Sequence, residues 1–467
     1  PIYRSGLFHM EIDLESISNL LSYWYVCEPK TMFRNVYQLP PGHYGIIKDG
    51  KFTQQEWWTV PSGPEQLITF NEACERLRAL LEDSIRLRIK ADVPYGAFLS
   101  GGIDSGLMTA LAAHLSSQPM KCFSIGFKEK SYSELDLAEK TAKTLPVNFL
   151  PTIMDEIQAQ DIHEVLSAFD EPLGNASYVP TYFLAKAARR DVTVVLAGDG
   201  ADELFGGYPT YQAPYYRKIH AAIPKPLWNL AASLIGRLPV SHSRISLDFR
   251  LKQFVKGIEM SPERSHLAWR EVSPIEQQLC ILRDDAAREL QGYDPFDIAR
   301  PFFEGGRNLE TRNRLMYVDL QTYLLNDHLR KVDRMSMIHS LEVREPFLDY
   351  RIVEFAMTLP PEFKVTLTQT KRILKRIARP LLPNEVIRGK KKGLTSPIAS
   401  WIGNELKSYV CDQLKGGLID QFFKQEAIAE ILTDHFNETR DNSRLIWALL
   451  SLQVWDQRLR SWVPGHT

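Results

Sequence analysis

Between residues 95 and 197 short apolar runs alternate with helical patterns, and this alternation narrows the possible folds more than any other feature. Tyr95–Leu99, Lys121–Phe127, Val147–Ile153 and Val192–Ala197 read as strands. Asp104–Leu115, Glu134–Leu145, Ile162–Phe169 and Thr181–Arg190 read as the helices between them. Strands this short and apolar need cover on both faces, which implies a parallel sheet flanked by helices. Such sheets bind ligands beyond the carboxyl ends of their strands. A further amphipathic helix, marked by Leu77, Leu80, Leu81, Ile85 and Ile89, leads into the unit. Beyond Tyr208 strand signals fade, and Arg312–Arg330, Ile352–Thr358, Lys371–Leu381 and Leu445–Arg460 read as helices. The expected fold class is α/β, with a parallel-sheet core over about residues 71–210 and a mainly helical region over 211–467.

The rest of the composition mostly excludes. A chain of 467 residues is too long for one hydrophobic core. Its formal net charge of −1 gives no overall reason to expect nucleic acid or an anionic membrane as partner. Five cysteines, an odd count with no Cys-x-x-Cys pair, argue against a disulfide framework or a structural zinc, and read as buried thiols in a reducing cytoplasm. No apolar run reaches the roughly 18 residues of a spanning helix. Glu11, Asp13 and Glu15 interrupt any signal-peptide pattern. The chain begins at Pro1 with its first methionine at Met10, and reads as a processed chain or a piece of a longer one. Before the sheet, a helix over Leu14–Tyr25 is followed by turns at Pro40-Pro41-Gly42 and Asp49-Gly50, then by a linker at Trp57-Trp58 and Pro61–Pro64.

Chemistry concentrates at the strand ends. Phe98-Leu99-Ser100-Gly101-Gly102-Ile103-Asp104-Ser105 carries a buried strand through a Ser/Gly/Gly turn into a helix. Glycines let the backbone approach an anion, and the helix N-terminus presents unpaired N–H groups to a pyrophosphate. Ser100 and Ser105 add hydroxyls, while Asp104, which repels phosphate directly, suits a Mg²⁺ held against the phosphate oxygens. No lysine follows the glycines, so this is not the Walker pattern. At the end of the last strand, Gly198-Asp199-Gly200-Ala201-Asp202-Glu203 puts three carboxylates within five residues. They repel one another unless a cation joins them; a solvated acidic turn is the bland account.

Two later blocks are dense in charge. Lys331–Met337 with Leu341–Asp349 interleaves charged and apolar residues, which fits either internal ion pairs or a ligand. Thr370–Lys375 and Arg388–Lys392 are basic. A lysine from them aimed at the site would stabilise negative charge, although a solvated basic face explains such runs equally well.

Taken together, the Ser-Gly-Gly-x-Asp-Ser loop, the Gly-Asp-Gly-Ala-Asp-Glu-Leu-Phe-Gly-Gly-Tyr segment, the Asp333-Arg334-Met335-Ser336-Met337…Glu342-Val343-Arg344-Glu345-Pro346-Phe347-Leu348-Asp349 block and the late Lys371 resemble the synthetase domain of the glutamine-dependent asparagine synthetases. The resemblance runs from about residue 11 to about 405. It implies an adenine nucleotide α-hydrolase-like sheet and cleavage of ATP to AMP and pyrophosphate with Mg²⁺. Leu99 and Ile125 would meet the adenine side, Ala197 and Gly198 the nucleotide at the other strand end, and Ser100, Gly101, Gly102 and Ser105 the phosphates. Asp104 and Asp202 would hold the metal, Asp199 would position the attacking amine, and Lys371 would stabilise charge. Residues 1–65 resemble only the tail of that family's glutaminase domain plus a linker, leaving 66–467 as the synthetase domain.

The pattern is not matched everywhere. No cysteine precedes Cys27, so glutamine hydrolysis is not expected of these residues, and ammonia would come free or from a separate glutaminase. Ala197 stands where a serine is frequent and Asn175 where an aspartate is common. The implied activity is conversion of aspartate to asparagine by a cytoplasmic ligase, with a homodimer as one possible assembly. The alternatives are another carboxylate acceptor (a sugar acid, a peptide or a β-amino acid) or a nucleotide-binding remnant without turnover. Modification of tRNA lacks the expected basic surface and cysteine pair.

Overall fold

A computed structural model of the chain describes residues 2–129, 131–154, 157–236, 247–389 and 393–462. Two antiparallel strands come first, β1 (His43–Lys48) and β2 (Lys51–Glu56), joined by the Asp49-Gly50 turn. Both turn residues have positive φ, the geometry that an Asp-Gly hairpin turn requires. This ribbon is exposed along almost its whole length.

The main sheet has five strands, β3 (Tyr95–Phe98), β4 (Met120–Phe127), β5 (Val147–Met154), β6 (Val194–Leu196) and β7 (Glu342–Arg344). All are parallel, in the spatial order β5-β4-β3-β6-β7. The fold class is the expected one, and the four strands read from the sequence all form. β7 is an addition, since its three residues sit inside the block read as ion pairs or ligand contacts. From β3 the chain builds outward to β5 and then returns to place β6 on the other side of β3. The order therefore reverses between β3 and β6, the place where such sheets open a crevice.

The helix Ile103–Leu115 is apolar nearly all round and almost wholly buried, as a helix between a sheet and other helices must be. The Phe70–Arg88 helix starts with a reciprocal capping box between Thr69 and Glu72, which satisfies two otherwise orphaned donors. In the helical region, Ser443–Ser461 is the buried pillar, and its Trp447 donates to the Tyr178 hydroxyl at 2.7 Å. The early helix Leu14–Tyr23 is also part of the core, with Leu14, Ile17, Leu20 and Leu21 buried. The helical pattern read over Arg312–Arg330 runs further, through Thr311–Asp319, a wider π-helical stretch Leu320–Leu329, and Arg330–Met337. Long π stretches are rare and favour functional sites.

Candidate active site

The loops after β3 and β6 lie against each other at the crevice. Leu99 continues β3, donating its N–H to the Phe123 carbonyl at 2.9 Å, and Ile125 lies two residues further along β4. On the other side, Ala197 continues β6 by donating to the Arg344 carbonyl at 2.9 Å. Leu99, Ile125, Ala197 and Gly198 are thus ranged along three neighbouring strand ends. A Cβ on Gly198 would sit 3.0 Å from the Ser105 nitrogen, so a side chain here would press the two loops apart by a few tenths of an ångström. The loop from Ser100 to Ser105 is held by its own hydroxyls. Ser105 Oγ accepts from the Ser100 N–H at 3.1 Å and lies 2.9 Å from Ser100 Oγ, which itself accepts from the Gly102 N–H at 3.2 Å. Gly101 packs under the loop, where a Cβ would meet Leu137 Cβ at 2.8 Å.

Lys371 joins the two loops. Its Nζ stands 2.5 Å from Asp104 Oδ2 and 2.5 Å from Asp202 Oδ1, and all three residues are buried. Lys371 has φ 51°, a left-handed conformation that costs a non-glycine residue energy, at the start of the helix Arg372–Ala378. Gly207 leaves the room for this junction: a Cβ there would fall 1.7 Å from Asp202 Oδ1 and 2.3 Å from Lys371 Cε. One turn later, burial and the Lys371 charge pull the Lys375 ammonium below its ordinary pKa. Two carboxylates brought together on one cation fit Mg²⁺, a hard cation usually bound through one or two carboxylates and the substrate's phosphates. Lys390, Lys391 and Lys392 of the second basic run lie outside the described residues.

Asp199 is half-buried on the same loop. Its Oδ1 lies 3.9 Å from Nδ1 of His328, a residue of the π-helical stretch. His328 leads to a group of which the sequence marks Asn175 and Lys331 but not the residues between. Lys331 Nζ donates toward His328 Nδ1 at 3.4 Å, and Asp327 accepts from Asn175 Nδ2 at 2.6 Å. Asp327 is fully buried, and burial pushes its carboxyl up to about 6, with the Lys331 charge acting the other way. For Asp327 and His328 the sequence signal is charge placed inside an otherwise apolar helical run, Leu324-Leu325-Asn326-Asp327-His328-Leu329. Glu345 belongs to the charge-dense block Leu341–Asp349 read as ion pairs or a ligand site. Burial, reinforced by the negative charges of Asp199 and Asp333, pushes its carboxyl up to about 8. Beside Asp202, burial and the Asp202 charge also raise Glu203, which accepts from the Tyr208 hydroxyl at 2.6 Å. Arg270 lies over the rings of both Tyr208 and Tyr323 and pairs with the buried Asp319, tying the later helices to this loop.

Residues 76–457 match the family model described as asparagine synthase. The chain is 31% identical over 457 residues to asparagine synthetase [glutamine-hydrolyzing] 1 of Bacillus subtilis, covering 96% of this chain and 69% of that protein. It is 32% identical over 459 residues to a putative asparagine synthetase [glutamine-hydrolyzing] of Mycobacterium bovis, covering 96% and 68%. A more distant relative, amidase chry2 of Gibberella zeae, is 25% identical over 443 residues, covering 87% and 66%. With a family model spanning most of its length and relatives above 30% identity, the chain belongs to the asparagine synthase family.

Proposed function

We propose that the protein is an ATP-dependent amide-forming ligase that adenylates the side-chain carboxylate of aspartate and transfers ammonia to it, giving asparagine, AMP and pyrophosphate. The observation that carries this reading is the convergence of Asp104, Asp202 and Lys371 from three distant segments between the ends of β3 and β6. A carboxylate is a poor electrophile until one of its oxygens becomes a leaving group. In the first step that oxygen attacks the α-phosphorus of ATP and pyrophosphate departs. In the second, ammonia attacks the acyl carbon and AMP departs.

The residues supply position, charge and shelter from water. The Ser100–Ser105 loop and the first turn of Ile103–Leu115 present N–H groups and hydroxyls to the phosphates. Asp104 and Asp202 would hold Mg²⁺, whose contribution when bound is to neutralise the phosphate oxygens. Lys371 is released toward the departing pyrophosphate, and Asp199 orients the amine. Cys27, the first cysteine of the sequence, is buried and its thiol is pushed up to about 12, so it is no nucleophile for glutamine. Ammonia therefore reaches this site free or from glutaminase residues outside those described.

A second reading keeps the chemistry and changes the acceptor. It is favoured by Asn175, which uses one Asp327 oxygen at 2.6 Å where the family commonly has a second carboxylate. Release of pyrophosphate measured with aspartate and with other acids separates the two readings.

A further inference from the structure

The net charge of −1 conceals a segregated distribution. From Leu204 to Leu247 the sequence contains no aspartate or glutamate; its basic residues are Arg217, Lys218 and Lys225, with Arg237 and Arg244 lying outside the described residues. Within this stretch the fold forms the helices Ala213–Ala221 and Lys225–Gly236. Among the described residues the second is anchored through its tryptophan. Its Trp228 meets His220 edge-on with centroids 4.4 Å apart and Phe254 at 6.3 Å, and Phe254 stacks on Trp269.

Its outer side carries Leu227, Leu230 and Leu234, which are 61%, 60% and 58% exposed. Spaced by three and four residues, they form one stripe along the helix. Tyr216, Ile219 and Ile223 add exposed apolar surface on the segment just before it. Of the basic residues, Arg217 is turned inward, donating to the Ile258 carbonyl at 2.8 Å and to Ser265 Oγ at 3.0 Å. Lys218 and Lys225 are exposed. A single exposed leucine needs no explanation, but a contiguous stripe within an acid-free basic segment does.

A second copy of the chain and a lipid surface both have the chemistry to cover such a stripe. A two-fold contact of the stripe with itself would bring two basic segments together with no acidic residue of either to neutralise them. Anionic headgroups supply the missing negative charge, and the acyl boundary takes the leucines. We infer that the helices Ala213–Ala221 and Lys225–Gly236 form a peripheral docking surface for an anionic lipid membrane. The segment lies in the plane of the interface; among the described residues no helix is long and apolar enough to cross a membrane.

Co-sedimentation of the whole chain with vesicles tests this. The probes are vesicles of phosphatidylcholine alone and vesicles containing about one third phosphatidylglycerol. The chain should bind the anionic vesicles at least about tenfold more tightly than the neutral ones, and about 0.5 M salt should release it. The double variants Leu230→Glu/Leu234→Glu and Lys218→Glu/Lys225→Glu should each lose about tenfold in that binding, with unchanged far-ultraviolet circular dichroism. No binding, equal binding to both vesicles, or full retention by the variants would overturn the inference. So would a lipid-free dimer that Leu230→Glu dissociates in sedimentation equilibrium, which would assign the stripe to a second copy.

Discussion

The ammonium of Lys371 bridges Asp104 and Asp202, 2.5 Å from one oxygen of each, so that a single positive charge is shared between the two carboxylates expected to hold the metal and offsets one of their two negative charges. Removing it leaves two buried negative charges facing each other. Breaking a buried pair by deleting one partner typically costs about 3–5 kcal/mol. Lys371→Ala should therefore lower the melting temperature, and Mg²⁺ should restore part of the loss by replacing the missing cation. Thermal unfolding with and without Mg²⁺ checks this; a magnesium shift no larger than that of the unaltered chain would refute it. In turnover, the same variant should lose about 10²–10³-fold in pyrophosphate release with a much smaller change in ATP affinity.

Asp104→Asn and Asp202→Asn test the carboxylates themselves. Each keeps the size of the side chain and removes a charge that the cation needs. Pyrophosphate release should fall by at least about 10²-fold in either variant, with excess Mg²⁺ recovering little. Release at the original rate would remove that residue from the metal site.

Gly207→Ala adds one methyl group where the space is already taken by Asp202 Oδ1 and Lys371 Cε. Something must shift, and misplacement by about 1 Å can cost about 10²-fold in rate. We expect that loss in kcat while the fold survives, read by steady-state kinetics beside circular dichroism. A fully active Gly207→Ala enzyme would mean that the Lys371–Asp202 contact is not needed for turnover.

Lys364 gives a pH prediction away from the site. It is fully buried, its ammonium has no hydrogen-bond partner among the described residues, and burial pulls its pKa down to about 7. Below that pH both folded and unfolded chains hold the proton, and the folded state carries the full penalty of a buried charge. Between about 7 and the unfolded value of about 10.4, only the unfolded chain holds it, so stability rises with pH by about 1.4 kcal/mol per unit. Lys364→Met should be the more stable protein at pH 6, and its advantage should shrink steadily toward pH 9. Denaturant unfolding across that range measures the difference, and a constant offset would contradict the assignment.

The sheet was legible because its strands are apolar and bounded by turn residues. Tyr95–Phe98 and Val194–Leu196 form within the runs that the sequence marks. β7 was not legible, because Glu342-Val343-Arg344 is three residues long with a charge at each end, and it becomes a strand only by pairing with β6. The motifs around Asp104 and Asp202 stand out locally, but their meeting with Lys371 does not. That contact spans 267 residues from Asp104 and depends on a tertiary path no local pattern encodes. Asp327 and His328 were hidden for a different reason: within a helical pattern a polar pair looks like a solvated edge until packing buries one and half-buries the other.

The most direct test of the central claim is pyrophosphate release from ATP and Mg²⁺ with ammonium as nitrogen donor, adding aspartate and other carboxylates one at a time. Aspartate-dependent release, with asparagine and AMP formed in equal amounts, is the predicted result. Release that ignores aspartate and follows another acid would contradict the aspartate assignment and leave the adenylation chemistry standing. No release with any acid would contradict the ligase reading itself.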